Sequence, residues 1–283
     1  MRKTRYAAVA IAAAAALTLS ACGGGDSGNS GDSSSGSAEK IRIGIKFDQP
    51  GLGFKDGADY TGFDVDVATY VANELGYSQD QIDWVETPSA QRENVLENGE
   101  VDMIFATYSI TDARKERVAF AGPYFIAGQD LLVKADNTDI NGPEDLDGKN
   151  LCSVTGSTSA QKIKDNYAAG VNLLEQGGYA NCVTAMQGGQ IDAVTTDDII
   201  LAGLASTDAN SGQFKVVGNP FSEEQYGVGL PKEDGKVKCE DINAAITKMV
   251  EDKSWEEAIK ANTQGADYTY NAELNPPTPA ACA

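Results

Sequence analysis

Short β-branched runs alternate with amphipathic stretches along most of this chain. Residues 41–46, 82–85 and 101–106 predict strands, and residues 64–75 and 90–98 between them predict helices. Strands and helices alternating at this spacing build parallel sheets covered by helices on both faces. The pattern breaks near Gly122-Pro123 and resumes after the apolar Leu131-Leu132-Val133. It then recurs as strands at 151–154 and 191–194, with helices from Gln161 onward and over 199–204. Two sheets, and so two lobes, are expected. A third portion runs from strand 226–230 through helices at 241–251 and 255–261. It is too small to hold a core of its own and is assigned to the first lobe. The tail over 275–283 carries three prolines, so an irregular path is expected there.

Ahead of this body, Arg2, Lys3 and Arg5 precede an Ala-rich apolar run that closes as Leu19-Ser20-Ala21-Cys22. The run is too short to hold a helix across a bilayer, and a basic start with small residues before a cysteine has the form of a cleaved export signal. Residues 1–21 are read as a lipoprotein signal peptide, leaving Cys22 to carry a lipid. Residues 23–37 contain only Gly, Ser, Asp and Asn. With no apolar group to bury, they behave as a flexible coil averaging about 20 Å end to end. Residues 22–39 thus read as a lipidated tether, and the body as a monomer held at the extracellular face of the cell membrane.

The remaining residues are enough for a sizeable core. The net charge of −20, already negative before the basic residues at the front are removed, argues against nucleic acid or anionic lipid as a partner. There is no histidine. Its absence removes the commonest general base near neutral pH, the Ser-His-Asp arrangement and most zinc sites. No catalytic residue, metal or cofactor is assigned. Beside Cys22 stand four cysteines, which in an oxidising compartment form disulfides. Of the three possible pairings, Cys152 with Cys182 and Cys239 with Cys282 is preferred. The first two bracket one mid-chain region, and the last two flank the C-terminal one. The alternative is buried free thiols.

Ligands of open α/β sheets bind at the carboxyl ends of strands, where helix starts present unpaired N–H groups. Lys46 ends the first strand. Ser89-Ala90-Gln91-Arg92 and Thr111-Asp112-Ala113-Arg114 each open a helix with a hydroxyl at the cap and an arginine three residues on, where a capping box would have Glu or Gln. A cation in the first turn opposes the helix dipole, so its repetition points to an anion that offsets the cost. The alternative is surface ion pairing with Glu93 or Glu116. In the second lobe, Thr155-Gly156-Ser157-Thr158-Ser159 can cradle a carboxylate without adding charge. Asp197, in Thr195-Thr196-Asp197-Asp198, is either an ordinary N-cap or the one anion at these junctions, facing a ligand ammonium. Together the junctions suit a small zwitterion with an extra negative charge.

The segment Gly62-Phe63-Asp64-Val65-Asp66-Val67-Ala68, with Val71, Ala72 and Leu75, resembles the signature of the family 3 extracellular solute-binding proteins, the polar amino-acid receptors of ABC transporters. Its two aspartates suit a helix start and Val67, Val71 and Leu75 form a buried stripe, so the segment itself reads as structural. The similarity continues through Asp102-Met103-Ile104, Thr111–Arg114 and Gln225-Tyr226-Gly227. Residues 46–53, 88–93 and 151–158 look like those of glutamate-binding lipoproteins of actinobacterial uptake systems. The resemblance implies that Arg114 forks onto a ligand α-carboxylate beside Ser109 and the Thr107 backbone. It implies that Asp197 holds the α-ammonium, that Thr158 adds a bond from the second lobe, and that Lys46, Ser89 and Arg92 surround the side-chain carboxylate. Gln49 and Ser89 stand where glutamine receptors often carry aromatics, and Thr196 and Val154 replace polar groups of some relatives.

The expected fold is α/β, a two-lobed periplasmic-binding-protein-like fold of type II (Venus-flytrap). Residues 40–124 and 226–283 form lobe 1 and 125–225 form lobe 2. Two hinge crossings lie near 124–128 and 222–226. The expected function is a receptor that binds an acidic amino acid, above all L-glutamate, and passes it to an ABC permease and its ATPase. Alternatives are a receptor for glutamine or another polar amino acid, a dehydratase-like enzyme on the same fold, and a sensing or adhesive lipoprotein without a transporter.

Overall fold

Strand β1 (Ile41–Ile45) is buried along almost all its length, as a central parallel strand covered on both faces must be. The computed structural model describes residues 39–167, 170–233 and 235–282; the expected signal peptide and Cys22 lie outside the described residues. β2 (Phe54–Asp56) and β3 (Asp59–Thr61) form a separate hairpin that the apolar pattern does not announce. β4 (Ile82–Glu86) and β5 (Met103–Ile104) flank β1, both parallel to it.

β6 (Ala119–Lys134) joins the two halves. Its first part pairs antiparallel with β11 (Glu223–Leu230), from Ala119 opposite Leu230 to Gly128 opposite Glu223. Its last part pairs antiparallel with β9 (Ala193–Asp197), from Gln129 opposite Asp197 to Val133 opposite Ala193. β7 (Asn150–Val154) lies parallel to β9 and to β8 (Asn172–Gln176), and β10 (Phe214–Val216) adds to the end of β6. The two expected sheets are present and share β6, which joins them into one path, β4-β1-β5-β11-β6-β9-β7-β8. Gly122-Pro123 does not end the strand. Gly122 takes φ 98, and a register shift between Tyr226 and Val228 on β11 absorbs the irregularity opposite it.

Helices α1 (Phe63–Glu74), α2 (Arg92–Glu97) and α3 (Asp112–Lys115) belong to the first half. α4 (Thr158–Asn166), α5 (Tyr179–Gln187) and α6 (Asp198–Ser206) belong to the second. α7 (Cys239–Glu251) and α8 (Ser254–Thr263) pack on α1, and α7 also on β6. Trp255 anchors α8. Fully buried, it stacks on Phe125, meets Phe63 edge-on at 5.6 Å and donates Nε1–H to Tyr124 O at 2.8 Å.

Beyond α8 the chain has no regular structure, yet it is tied down along β6. The Asn275 side chain accepts the Ile126 N–H at 2.9 Å and donates to Ile126 O at 2.8 Å, and Ala280 N–H donates to Gly122 O at 2.7 Å. The disulfide Cys239–Cys282 ties the tail to α7, and Cys152–Cys182 ties β7 to α5. Both are the pairings expected from position along the chain. Among the described residues, no helix is long and apolar enough to cross a membrane.

Candidate functional site

Strand ends and helix starts of both halves converge on one narrow, nearly filled cleft. Ser89, Arg92, Thr107, Ser109 and Arg114 line it from the first half, and Thr158 and Asp197 from the second. Seven of the eight ligand residues read from the sequence are thus brought together. Lys46 is not in the lining. It is buried, with Nζ 3.3 Å from Asp48 Oδ1, and burial lowers its pKa, opposed by Asp48 and reinforced by the nearby Arg92 charge.

The two arginines share a platform. The guanidinium of Arg92 lies 5.0 Å, and that of Arg114 4.8 Å, from the centre of the Tyr108 ring. Tyr108 is held by its hydroxyl, which donates to Glu93 Oε1 at 2.8 Å. Arg114 Nη1 donates to Ser109 O at 2.6 Å and Nη2 reaches Gly156 O on the opposite wall at 3.2 Å, while Nε stands 3.4 Å from Glu93 Oε1. Ion pairing with Glu93 therefore does operate at Arg114. Burial lowers the Arg114 pKa, and the like charge of Arg92 adds to that. Arg92 is 3 % exposed, its Nε is buried with no hydrogen-bond partner, and it makes no ion pair among the described residues.

The two helix starts differ from each other. Thr111 is a true N-cap of α3, its hydroxyl accepting the Arg114 N–H at 3.2 Å. Ser89 is not a cap. It opens a 3₁₀ turn over Ser89–Gln91, and α2 begins only at Arg92, so its buried hydroxyl is left to the cavity.

Asp197 sits at the N-cap position of α6 but its side chain accepts nothing from that helix. Oδ2 instead accepts the Tyr226 hydroxyl at 2.6 Å, and Oδ1 is buried without a partner. The ordinary-cap reading of this residue is thereby overturned. Burial, with the charge of Glu224 behind it, pushes the carboxyl up to about 8. On the same wall Ser157 caps α4 by accepting the Ala160 N–H at 3.0 Å, and the hydroxyls of Thr158 and Ser109 meet across the cleft at 3.3 Å.

Sequence reasoning missed Tyr108, Tyr179 and Asp64. Tyr179 lines the cavity beside Ile200 and Thr196, and an aromatic at a helix start carries no signal that separates lining from core. Asp64 has the place of a helix-start carboxylate, yet its oxygens accept the Thr107 N–H at 3.0 Å and the Tyr124 hydroxyl at 2.6 Å.

A buried cleft between two lobes, with cations on one wall and a lone carboxylate on the other, defines a receptor for a small amino acid. The chain belongs to the bacterial extracellular solute-binding proteins, family 3, whose model matches residues 41–263. It is 47% identical over 233 residues to the glutamate-binding protein GluB of Corynebacterium efficiens, covering 78% of each chain. It is 37% identical over 225 residues to the ABC transporter glutamine-binding protein GlnH of Bacillus subtilis, covering 78% of this chain and 80% of that one. Among solved structures, an ancestral arginine-binding protein bound to glutamine superposes with a TM-score of 0.71 at 31% identity, over 78% of this chain and 96% of that one. The chain is accordingly an extracellular solute-binding protein, and the curated relatives it resembles carry names of amino-acid-binding proteins.

Proposed function

We propose that this receptor binds an acidic amino acid, L-glutamate, and delivers it to an ABC permease and its ATPase while anchored outside the cell through a lipid on Cys22. The observation that carries the ligand reading is the opposition in the cleft: buried Arg92 and Arg114 on Tyr108, facing a buried Asp197 oxygen that nothing else uses. In this reading Arg114 and Ser109, with the Thr107 backbone, hold the α-carboxylate, Asp197 holds the α-ammonium and Thr158 adds a bond. Arg92 and Ser89 meet the side-chain carboxylate, with Lys46 contributing its field from behind Arg92. Lobe 1 is residues 40–124 with 226–283, lobe 2 is 125–225, and the protein works as a monomer. Ligand contacts with both lobes favour the closed state, by as much as the two states differ in affinity.

Glutamine is the second reading, favoured by the likeness to GlnH and by Lys46 already being answered by Asp48. Calorimetric titration of the full chain, freed of copurified ligand, against the amino acids decides between them. Micromolar or tighter glutamate binding with glutamine at least about a hundredfold weaker supports the first reading. Equal binding leaves only a polar amino-acid receptor. The anchor is tested separately: Cys22→Ala should release the folded body from cells, and a membrane-retained variant would refute the lipid.

A further inference from the structure

Thr107 is the one non-glycine residue of the cavity wall with a left-handed backbone, at φ 47. For a β-branched residue this conformation is strained and persists only where surrounding bonds over-determine it. Those bonds are present. The Thr107 N–H donates to Asp64 Oδ2 at 3.0 Å, and its hydroxyl donates to Ala106 O at 2.7 Å. Asp64 itself is completely buried and is pinned on its other oxygen by the Tyr124 hydroxyl at 2.6 Å. A carboxylate in the first turn of α1 has no need of burial to satisfy the helix dipole, since an exposed one does that. Burying it costs stability: the carboxyl is pushed up to about 6, chiefly by desolvation, with the two hydrogen bonds and the Arg92 charge opposing. A group held at such cost, with both oxygens committed, acts as a fixed acceptor.

We propose that Asp64 is a positioning residue for ligand binding: it holds Thr107 in its left-handed conformation, and so shapes the cavity wall between Arg92 and Ser109. This rests on the reading of the cavity as the amino-acid site. Asp64→Asn is the sharpest change, because an amide offers one acceptor where two donors, the Thr107 N–H and the Tyr124 hydroxyl, converge.

The test is a double-mutant cycle with Thr107→Gly, read by calorimetric titration of glutamate into the full chain and by ligand-free thermal unfolding. Glycine takes φ > 0 without strain, so a lock at position 107 matters less once glycine stands there. Asp64→Asn alone should weaken glutamate about tenfold or more, and the double variant should fall within about threefold of Thr107→Gly alone. If Asp64 serves only the packing of α1, its cost in affinity is the same in both backgrounds; that additive result, or wild-type affinity in Asp64→Asn, overturns the proposal. If Asp64→Asn does not fold, Tyr124→Phe takes its place in the cycle. It loosens the carboxylate from one side, and its expected loss of about threefold should likewise vanish with Thr107→Gly; an additive loss again overturns the proposal. A wild-type chain that binds no amino acid overturns the reading of the site and this proposal with it, whereas binding with an additive cycle overturns this proposal alone.

Discussion

Tyr226 donates its hydroxyl to Asp197 at 2.6 Å, and Tyr226 stands on β11 opposite Phe125, where the chain crosses between the two halves. The residue that faces the cavity with a carboxylate is thus bonded to a strand that pairs with β6 where β6 passes from one half to the other. Tyr226 also bridges Ser109 through the backbone, which ties both walls of the cleft to the same residue.

The first prediction concerns proton linkage at Asp197. A carboxyl whose folded pKa is raised binds its proton more tightly in the folded state, so it stabilises the fold at low pH and that contribution is lost as pH rises through the folded value. Asp64 and Asp198 are raised to about 6 and Asp197 to about 8, each chiefly by burial. The unfolding midpoint of the ligand-free chain should therefore fall between pH 5 and about 8, and Asp197→Asn should flatten the part above about 6.5. A ligand ammonium favours the ionised carboxylate, so amino-acid binding near neutral pH should release protons, measured by titration in buffers of different ionisation enthalpy. A wild-type decline in Asp197→Asn, or binding without proton release, would count against this role.

A second prediction concerns closure. A Cβ on Gly203, within α6, would come to 2.2 Å from the carbonyl oxygen of Pro50 on the opposing half. Alanine in a helix interior is favoured over glycine by about 1 kcal/mol, so Gly203→Ala should not weaken the lobe that carries it. It should instead wedge the cleft. Affinity falls with the population of the competent closed state, so a loss of about tenfold or more is expected, with faster dissociation and unchanged or higher thermal stability of the ligand-free chain. Unaltered affinity would show that the contact yields without affecting closure.

Much of the frame was legible because it rests on periodicity. A short β-branched run marked β1, and the stripe through Val67 and Val71, both fully buried, marked α1. Arg114 and Asp197 were legible because strand-to-helix junctions point into the cleft whatever the ligand. The run-through of β6 was not, since Gly122-Pro123 reads locally as a break and only pairing with β11 keeps the strand intact. Tyr108 was hidden for another reason. Between Thr107 and Ser109 it looks like any core aromatic, and only the fold brings two guanidiniums onto it. Asp64 misled because a first-turn acid already has a sufficient local explanation.

The third prediction concerns the tail. Asn275 is 5 % exposed and satisfies both backbone groups of Ile126, standing in for a neighbouring strand on β6. Asn275→Ala leaves a buried N–H and C=O without partners and should cost about 1–3 kcal/mol in denaturant unfolding. Glu273→Ala, at an exposed position two residues away, should stay within about 0.5 kcal/mol. Equal effects would mean that the tail contributes no specific bonds to the hinge strand.

The last prediction separates glutamate from glutamine. Lys46 is answered by Asp48 at 3.3 Å and Arg114 by Glu93 at 3.4 Å, while Arg92 makes no ion pair among the described residues and lies against Tyr108 instead. Of these three buried cations, Arg92 is the one without a carboxylate partner among the described residues. Glutamine nearly matches glutamate in shape but offers it no charge, so the cation would stay buried and underpaired, a penalty of several-fold to many-fold in affinity. Arg92→Met keeps an unbranched apolar stem beside Tyr108 and removes the guanidinium with its charge and its donors. It should weaken glutamate by about a hundredfold or more and glutamine by less than about tenfold, narrowing their ratio. Lys46→Met should cost glutamate less than Arg92→Met does, because Lys46 lies outside the cavity lining and is paired with Asp48. If Arg92→Met weakens both ligands equally, the guanidinium supports the cavity wall without reading the side chain, and the acidic-ligand assignment fails.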